Sequence, residues 1–254
     1  MINRRSPREI ECMRQAGAIV AEVLERCRTL AVPGITTEEL DQKADALIRE
    51  RNAIPLFKGY RGYPKSICAS VNEEVVHGIP GPRKLAAGDI LSVDVGVRLG
   101  AYCADAAITA PVGEVTAEAM RLMQVCREAL DRGIRTLKPG MKLSTLSEAI
   151  QKYVESQNCS VVRDYTGHGI GREMHEEPQV PNFVTKAVRD RVLPEGAVVA
   201  IEPMVNAGGF EVRRLENGWT VVTADHSLSA HFEHTVAITE SGGDVLTLAP
   251  VRNG

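Results

Sequence analysis

The chain lacks the marks of several large protein classes. Its six cysteines (Cys12, Cys27, Cys68, Cys103, Cys126, Cys159) are scattered and form no CxxC pair. That fits neither a disulfide scaffold nor a structural zinc site and points to a reducing compartment. No apolar run approaches the roughly 20 residues that cross a bilayer. The arginines of MINRRSPREIECMRQAG are not followed by the apolar stretch of a signal peptide. A soluble, cytoplasmic protein is expected. The formal net charge of −3 leaves no basic excess for nucleic acid or an acidic membrane, and Arg4-Arg5 and Arg213-Arg214 read as solvated surface. No Pro/Gly/Ser-rich linker divides the chain, and no Ser-His-Asp or Cys-His nucleophile signature stands out. What remains is an ordinary globular composition, 44% hydrophobic and 25% charged, in 254 residues that can bury a substantial core.

Ser6-Pro7-Arg8-Glu9 is a capping box with proline at the first helical position. It opens a helix whose apolar residues Ile10, Met13, Ala16, Gly17, Val20, Val23 and Leu24 recur at helical spacing, and Val32-Pro33-Gly34 stops it. A second capping box, Thr36-Thr37-Glu38-Glu39, opens a helix through Leu40, Ala44, Leu47 and Ile48. Strands are predicted at Ser66–Val71, Ile90–Val97 and Ala101–Pro111, then helices near Thr116–Leu137 and Ser144–Gln157. The second helix pair echoes the first at a shift of about 106 positions: Glu22 falls on Glu128, Leu24 on Leu130, Arg26 on Arg132, Pro33-Gly34 on Pro139-Gly140 and Leu40 on Leu146. Leu85-Ala-Ala-Gly88 before a strand ending at Asp94 similarly echoes Leu193-Pro-Glu-Gly196 before a strand ending at Glu202. Two α/β halves from an internal duplication are expected, roughly 1–110 and 111–254, forming one domain over 1–254 with the site between them.

Four carboxylates stand inside runs that otherwise read as buried strands: Asp94 in ILSVDVGV, Asp105 in AYCADAAIT, Glu202 in VVAIEPMV and Glu233 in AHFEHTVAI. Buried Asp and Glu are rare without a partner, and no lysine or arginine lies in these runs. A hairpin centred between Leu99 and Gly100 would place Asp94 directly opposite Asp105, a repulsive arrangement unless a cation bridges them. His168 lies in Gly167-His168-Gly169-Ile170-Gly171, where glycines allow close backbone approach. His175 follows in Met174-His175-Glu176-Glu177-Pro178, and His77 precedes a turn in Val76-His77-Gly78-Ile79-Pro80. His226, His231 and His234 read as structural. Four carboxylates and one imidazole without thiolate favour Mn²⁺, Fe²⁺ or Co²⁺, with Zn²⁺ also compatible. Two divalent ions would balance the four negative charges, and paired ions serve hydrolysis of a peptide or phosphoester.

Taken in order, SICASVNEEVVHGIP, DVGVRLGAYCADAAIT, YTGHGIGREMHEEPQVPNF, IEPMVNAGG and NGWTVVTADHSLSAHFEHTVAIT closely resemble the bacterial-type methionine aminopeptidases, from the first helix to Leu246. The resemblance implies an α/β pita-bread fold, with pseudo-twofold helix-pair and antiparallel-sheet halves around a central metal site. It also implies that Asp94 chelates one ion, that Asp105 and Glu233 bridge both, and that His168 and Glu202 complete the second. Glu202 would in addition handle a proton during attack. His77 and His175 would face the substrate, His175 at the scissile amide and His77 positioning it. Tyr60, Tyr63, Cys68 and Trp219 would wall the pocket for the methionine side chain. The sequence departs from the family at Met174, usually phenylalanine, and at Arg61, where histidine is common beside the pocket mouth. No zinc-finger or proline-rich extension precedes the catalytic region, so contact with the ribosome exit region would use that region itself.

The expected activity is removal of the initiator methionine from nascent chains with a small second residue, by a monomer carrying two divalent ions. Ile2 is bulky, so the chain is expected to keep its own Met1. Two rivals stand beside this reading. One is a related peptidase acting at Xaa-Pro bonds, whose members normally carry a large extra N-terminal domain. The other is a catalytically silent binding protein on the same fold, which would be expected to have lost ligands.

Overall fold

The computed structural model describes residues 2–248. Met1 and residues 249–254 lie outside the described residues, and with them the expectation for Met1 and the two ends of the 1–254 span. Four helices carry the outer layer: α1 (Pro7–Leu30), α2 (Thr37–Glu50), α3 (Ala117–Arg135) and α4 (Leu143–Ser156). Helix α1 starts where its capping box places it, with Ser6 Oγ accepting from Glu9 N and Glu9 Oε2 accepting from Ser6 N at 2.9 Å. Thr36 and Glu39 cap α2 in the same way. The start of α4 differs from expectation, because Lys142 is its N-cap and makes no side-chain cap bond. Asp190 takes over that task from a distant loop, its carboxylate accepting from Ser144 N at 3.0 Å and from Ser144 Oγ at 2.9 Å.

Among the described residues there are fifteen strands: β1 (Ile54–Pro55), β2 (Cys68–Val71), β3 (Glu74–Val76), β4 (Ile90–Leu99), β5 (Tyr102–Pro111), β6 (Ser160–Val161), β7 (Gly167–Gly169), β8 (Glu176–Val180), β9 (Val198–Ile201), β10 (Met204–Asn206), β11 (Val212–Arg214), β12 (Val221–Thr223), β13 (Ser229–His231), β14 (Glu233–Thr239) and β15 (Gly242–Val245). The central sheet has nine antiparallel strands in the order β1-β4-β5-β14-β9-β7-β8, with β2 added beside β4 and β15 beside β14. Helices α1 and α2 bury Val20, Val23, Leu24, Leu40 and Ile48 against Leu91, Val93, Val95 and Ala106 of β4 and β5. Helices α3 and α4 bury Leu122, Leu130, Leu146 and Ile150 against Val199, Ile201, Val236 and Ile238 of β9 and β14. Each such fully buried aliphatic side chain contributes about 1.5–3 kcal/mol, so each helix pair has its own substantial core.

The two helix-and-strand units are joined to their sheets by the same hydrogen bonds. Gly34 N donates to Leu85 O and Gly140 N to Leu193 O, both at 2.8 Å. Leu85 N returns to Ile35 O, and Leu193 N to Met141 O, again at 2.8 Å. Gly88 N meets Val112 O just as Gly196 N meets Ile238 O. Residues 94 and 202 thus occupy equivalent places on β4 and β9, two strands on opposite sides of the β5–β14 seam.

The β4–β5 hairpin corrects the expected register. Its turn is Gly100-Ala101, with Gly100 at φ +59°, so Asp94 pairs with Ala107, and Asp105 pairs with Gly96. The slip is by two residues, an even number, so both aspartates still project from one face of the sheet. They are diagonal neighbours rather than directly opposed, which leaves more room between them for a cation.

Candidate metal centre and substrate pocket

Asp94, Asp105, His168, Glu202 and Glu233 come from β4, β5, β7, the end of β9 and the start of β14, and all five line one cavity of about 190 Å³. A water takes about 30 Å³ of liquid, so the space admits roughly one side chain and its scissile bond rather than a folded peptide. His77, His175, Tyr60, Tyr63, Cys68 and Trp219 line the same cavity. Every residue expected from the sequence at the metal or substrate site therefore lines this one cavity.

The acidic floor is desolvated. Burial and the neighbouring carboxylates hold Asp94, Glu202 and Glu233 well above the usual carboxylate range, and burial pushes Asp105 up to about 6. Asp94 Oδ1 is buried without a hydrogen-bond partner among the described residues. An orphaned carboxylate oxygen amid three other acids is costly unless a cation meets it. Asp105, His168 and Glu233 each offer a ligand atom within 4.8 Å of the others.

The imidazole is prepared for the same task. His168 Nδ1 lies 2.9 Å from Gly169 O, so the ring carries its proton there and turns the Nε2 lone pair inward. That atom is 3.5 Å from Asp105 Oδ2 and 3.6 Å from Glu202 Oε1. Metal-binding histidines are characteristically held in this way. The flanking glycines are required by close packing, since a Cβ at Gly167 would fall 2.3 Å from Ala200 O, and one at Gly169 2.2 Å from Glu177 O. The donor set and its geometry suit divalent cations. Cys68 is adjacent, paired across β2 and β4 with Asp94, but burial holds its thiol far above the usual range, so it acts as a neutral wall.

The residues expected to face a substrate line the same cavity as this floor. His175 stacks on Tyr60 at 5.3 Å between centroids and its Nδ1 is 2.9 Å from Tyr60 Oη. The loss of water around its ring, with His168 close by, pulls His175 down to about 4, and burial does the same for His77. Both rings are neutral at pH 7. His77 has φ +61° and packs edge-on to Tyr165 and Trp219, an unusual backbone for a non-glycine residue that persists only where the surroundings hold it. Tyr63 meets Trp219 edge-on at 5.1 Å, and Phe57, Met174 and Cys68 complete an apolar wall with them.

Several contributors escaped the sequence reading. Phe57 and Val76 line the cavity, and Tyr165 supports His77; none belongs to a periodic or charged pattern that marks it. The backbone of Asp105 is held by Thr235, whose Oγ1 accepts from Asp105 N at 3.1 Å and donates to Asp105 O at 2.8 Å. The loop before β8 that carries His175 is tied by Glu176, which accepts from Arg5 Nη2 at 2.5 and 2.6 Å, Asn3 Nδ2 at 2.6 Å and Arg172 N at 2.8 Å. The Arg5-Glu176 pair is nearly buried, so the N-terminal segment is part of the scaffold of the site.

Comparison with known proteins agrees with this geometry. The model of metallopeptidase family M24 matches residues 11–240. The chain belongs to metallopeptidase family M24. Within the family it is 51% identical to methionine aminopeptidase 1 of Bacillus subtilis, over 97% of this chain and 99% of that protein. A crystal structure of methionine aminopeptidase from Thermotoga maritima superposes with a TM-score of 0.94 at 46% identity, covering 98% of this chain and all of that one. An Xaa-Pro dipeptidase from Bacillus anthracis shares the pita-bread fold, with a TM-score of 0.77 at 21% identity over 62% of its own length. As a member of M24 the chain is a metal-dependent hydrolase, and no described helix is long and apolar enough to cross a membrane.

Proposed function

We propose that this chain removes the N-terminal methionine from nascent peptides whose second residue is small, using two divalent cations held by Asp94, Asp105, His168, Glu202 and Glu233. The observation that carries the reading is the meeting of four desolvated carboxylates and an inward-facing imidazole at the floor of a pocket walled by Phe57, Tyr63, Cys68, Met174 and Trp219. When bound, such cations polarise the scissile carbonyl and make water nucleophilic at neutral pH.

The protein's own groups do the remainder. The apolar wall takes the methionine side chain and excludes water from it. With Tyr60 Oη donating to Nδ1, neutral His175 carries its proton on Nε2 and donates it as a hydrogen bond to the scissile amide. His77, also neutral, positions the substrate from the opposite side and stabilises the developing oxyanion. Glu202 takes the proton of the attacking water and delivers it to the departing amine. The small cavity leaves little room beside the scissile bond, which limits the second residue; by the same rule Ile2 keeps Met1. The chain acts as a cytoplasmic monomer and a single catalytic domain whose halves meet near residue 110.

Metal-stripped protein re-supplied with Co²⁺ or Mn²⁺ tests this on Met-Gly-, Met-Leu-, Leu-Gly- and Ala-Pro-started peptides, with products read by mass spectrometry. Methionine lost from the Met-Gly peptide alone, and only with metal, is the expected result. Cleavage of Ala-Pro would move the chain to the proline-specific members of the fold. No cleavage with any metal would sink the enzymatic reading.

A further inference from the structure

Arg61 is a cation at the cavity mouth whose position serves no ligand of the floor. It lines the cavity, and no carboxylate pairs with it among the described residues. Its backbone has φ +48°, between two glycines in the same turn region, Gly59 and Gly62, that also have positive φ. The guanidinium lies 5.3 Å from the centroid of the Tyr60 ring, and Tyr60 stacks in turn on His175. Three neighbouring groups of the cavity lining, His175, Tyr60 and Arg61, therefore follow one another in space and end in a positive charge. Its field reaches His175, where it adds to the downward pull on the ring.

The four acids of the floor are balanced once two dications are held there, and among the described residues Arg61 is the one arginine or lysine in the cavity lining. Arg214, exposed on β11, lies outside that lining and bears on His77. A peptide leaving the site in extended form advances about 3.3–3.6 Å per residue. The two separations of 5.3 Å put the Arg61 guanidinium at most about 11 Å from the His175 ring, within the reach of about three extended residues. We propose that Arg61 is a specificity-determining residue that selects substrates with a carboxylate at the third or fourth residue. Resting on the aminopeptidase reading, this names a substrate class within it. The carboxylate can be an acidic side chain or the free C-terminus of a short peptide.

The experiment compares kcat/KM for amidated Met-Ala-Asp-, Met-Ala-Asn- and Met-Ala-Lys-started peptides in low salt, with wild type and with R61A, R61K and R214A. Met-Ala-Asn as free acid and as amide separates the terminal carboxylate from the side chain. Wild type is expected to prefer Asp over Asn by about two- to fivefold, the range of an exposed ion pair, and to disfavour Lys, chiefly through KM. The preference should shrink near 1 M salt, where screening reaches within about 3 Å. R61A should erase it, R61K should keep part, and R214A should leave it intact. Equal rates on Asp, Asn and Lys peptides would overturn the inference while leaving the aminopeptidase reading standing. A preference that survives R61A but not R214A would overturn the role of Arg61. No methionine release from any peptide would overturn the activity itself, and the inference with it.

Discussion

The two helix-and-strand units, residues 7–112 and 117–239, share a scaffold but not a site. Each carries two helices packed on an antiparallel pair, closed by the same hydrogen bonds at Gly34 and Gly140 and at Gly88 and Gly196. The first joins its paired strands β4 and β5 with the two residues Gly100-Ala101. The second separates β9 from β14 with the excursion from Glu202 to Phe232, which contains β10 to β13 and brings Trp219 to the pocket. The seam between the units shows the same difference at atomic scale. Thr235 Oγ1 accepts from Asp105 N and donates to Asp105 O. Thr109 Oγ1 accepts from His231 N at 2.8 Å and donates to His231 O at 2.9 Å. Asp105 and His231 therefore hold equivalent places, one a carboxylate of the floor and the other a buried ring pulled by burial down to about 3, its Nε2 unpartnered among the described residues. A duplicated scaffold thus needs only different side chains at matched positions to become an asymmetric site.

The largest expected break comes from the matched ligand strands. Asp94→Asn and Glu202→Gln should each lower metal-dependent kcat/KM on a Met-Gly peptide by about 10²–10³-fold or more, the loss seen when one preorganised charge-stabilising group is removed. Circular dichroism should show the fold retained in both. A loss confined to one of them would mean that the two units do not contribute jointly.

Next in size is the pH dependence of the metal-free protein. The carboxylates of the floor have folded pKa values above their unfolded ones, so the stability they contribute is present below about pH 4 and is lost as pH rises through about 6 for Asp105 and higher for the others. Between pH 5 and pH 8 these carboxylates should lower the metal-free melting temperature, Asp105 alone costing about 1.4 kcal/mol, while the buried neutral rings of His77, His175, His231 and His234, held at about 3 to 4, act in the opposite sense over the lower part of that window. Mn²⁺ should raise it more at pH 8 than at pH 5. Acids depressed by surface contacts, such as Glu9 at about 2, titrate below this window and do not mask the effect. The histidines are common to wild type and Asp94→Asn, so the change from pH 5 to pH 8 should be less unfavourable in Asp94→Asn; an identical change in both proteins would contradict the buried cluster.

The seam gives a paired test. Thr235→Val and Thr109→Val each remove a hydroxyl that satisfies a buried N–H, at about 1–3 kcal/mol. Only Thr235→Val should also lower turnover, by about 10–100-fold, as for groups that orient a metal ligand. Equal effects on turnover would erase the distinction between the two places. The smallest expected effect concerns the caps. Thr36→Ala and Asp190→Ala should each cost about 1 kcal/mol by thermal denaturation, although one cap is local and the other reaches from a loop.

That last pair shows how far the sequence carries. The capping boxes Ser6-Glu9 and Thr36-Glu39 lie within four consecutive residues, so their chemistry is visible in the chain. The helix expected near Ser144–Gln157 has no such local signal, and Ser144 stands inside the first turn of α4, bonded to Asp190, 46 residues away. The acids of the floor were legible because carboxylates in apolar strands need a partner. The register of Asp94 against Asp105 was not, because a turn centre one residue later moves every pair by two without changing the hydrophobic pattern.

The sequence by itself determined the four helices, the apolar runs that bury β4 and β5, and the identity of the acids and imidazoles at the site. Those features depend on local spacing and on the solvation of single side chains. The tertiary structure alone decided which oxygens meet His168 Nε2, that Thr235 holds Asp105 while Thr109 holds His231, and that Arg5 secures the loop of His175 through Glu176. Each of these joins residues far apart in the chain, and their distances follow from sheet order and crossover connections that no local pattern encodes.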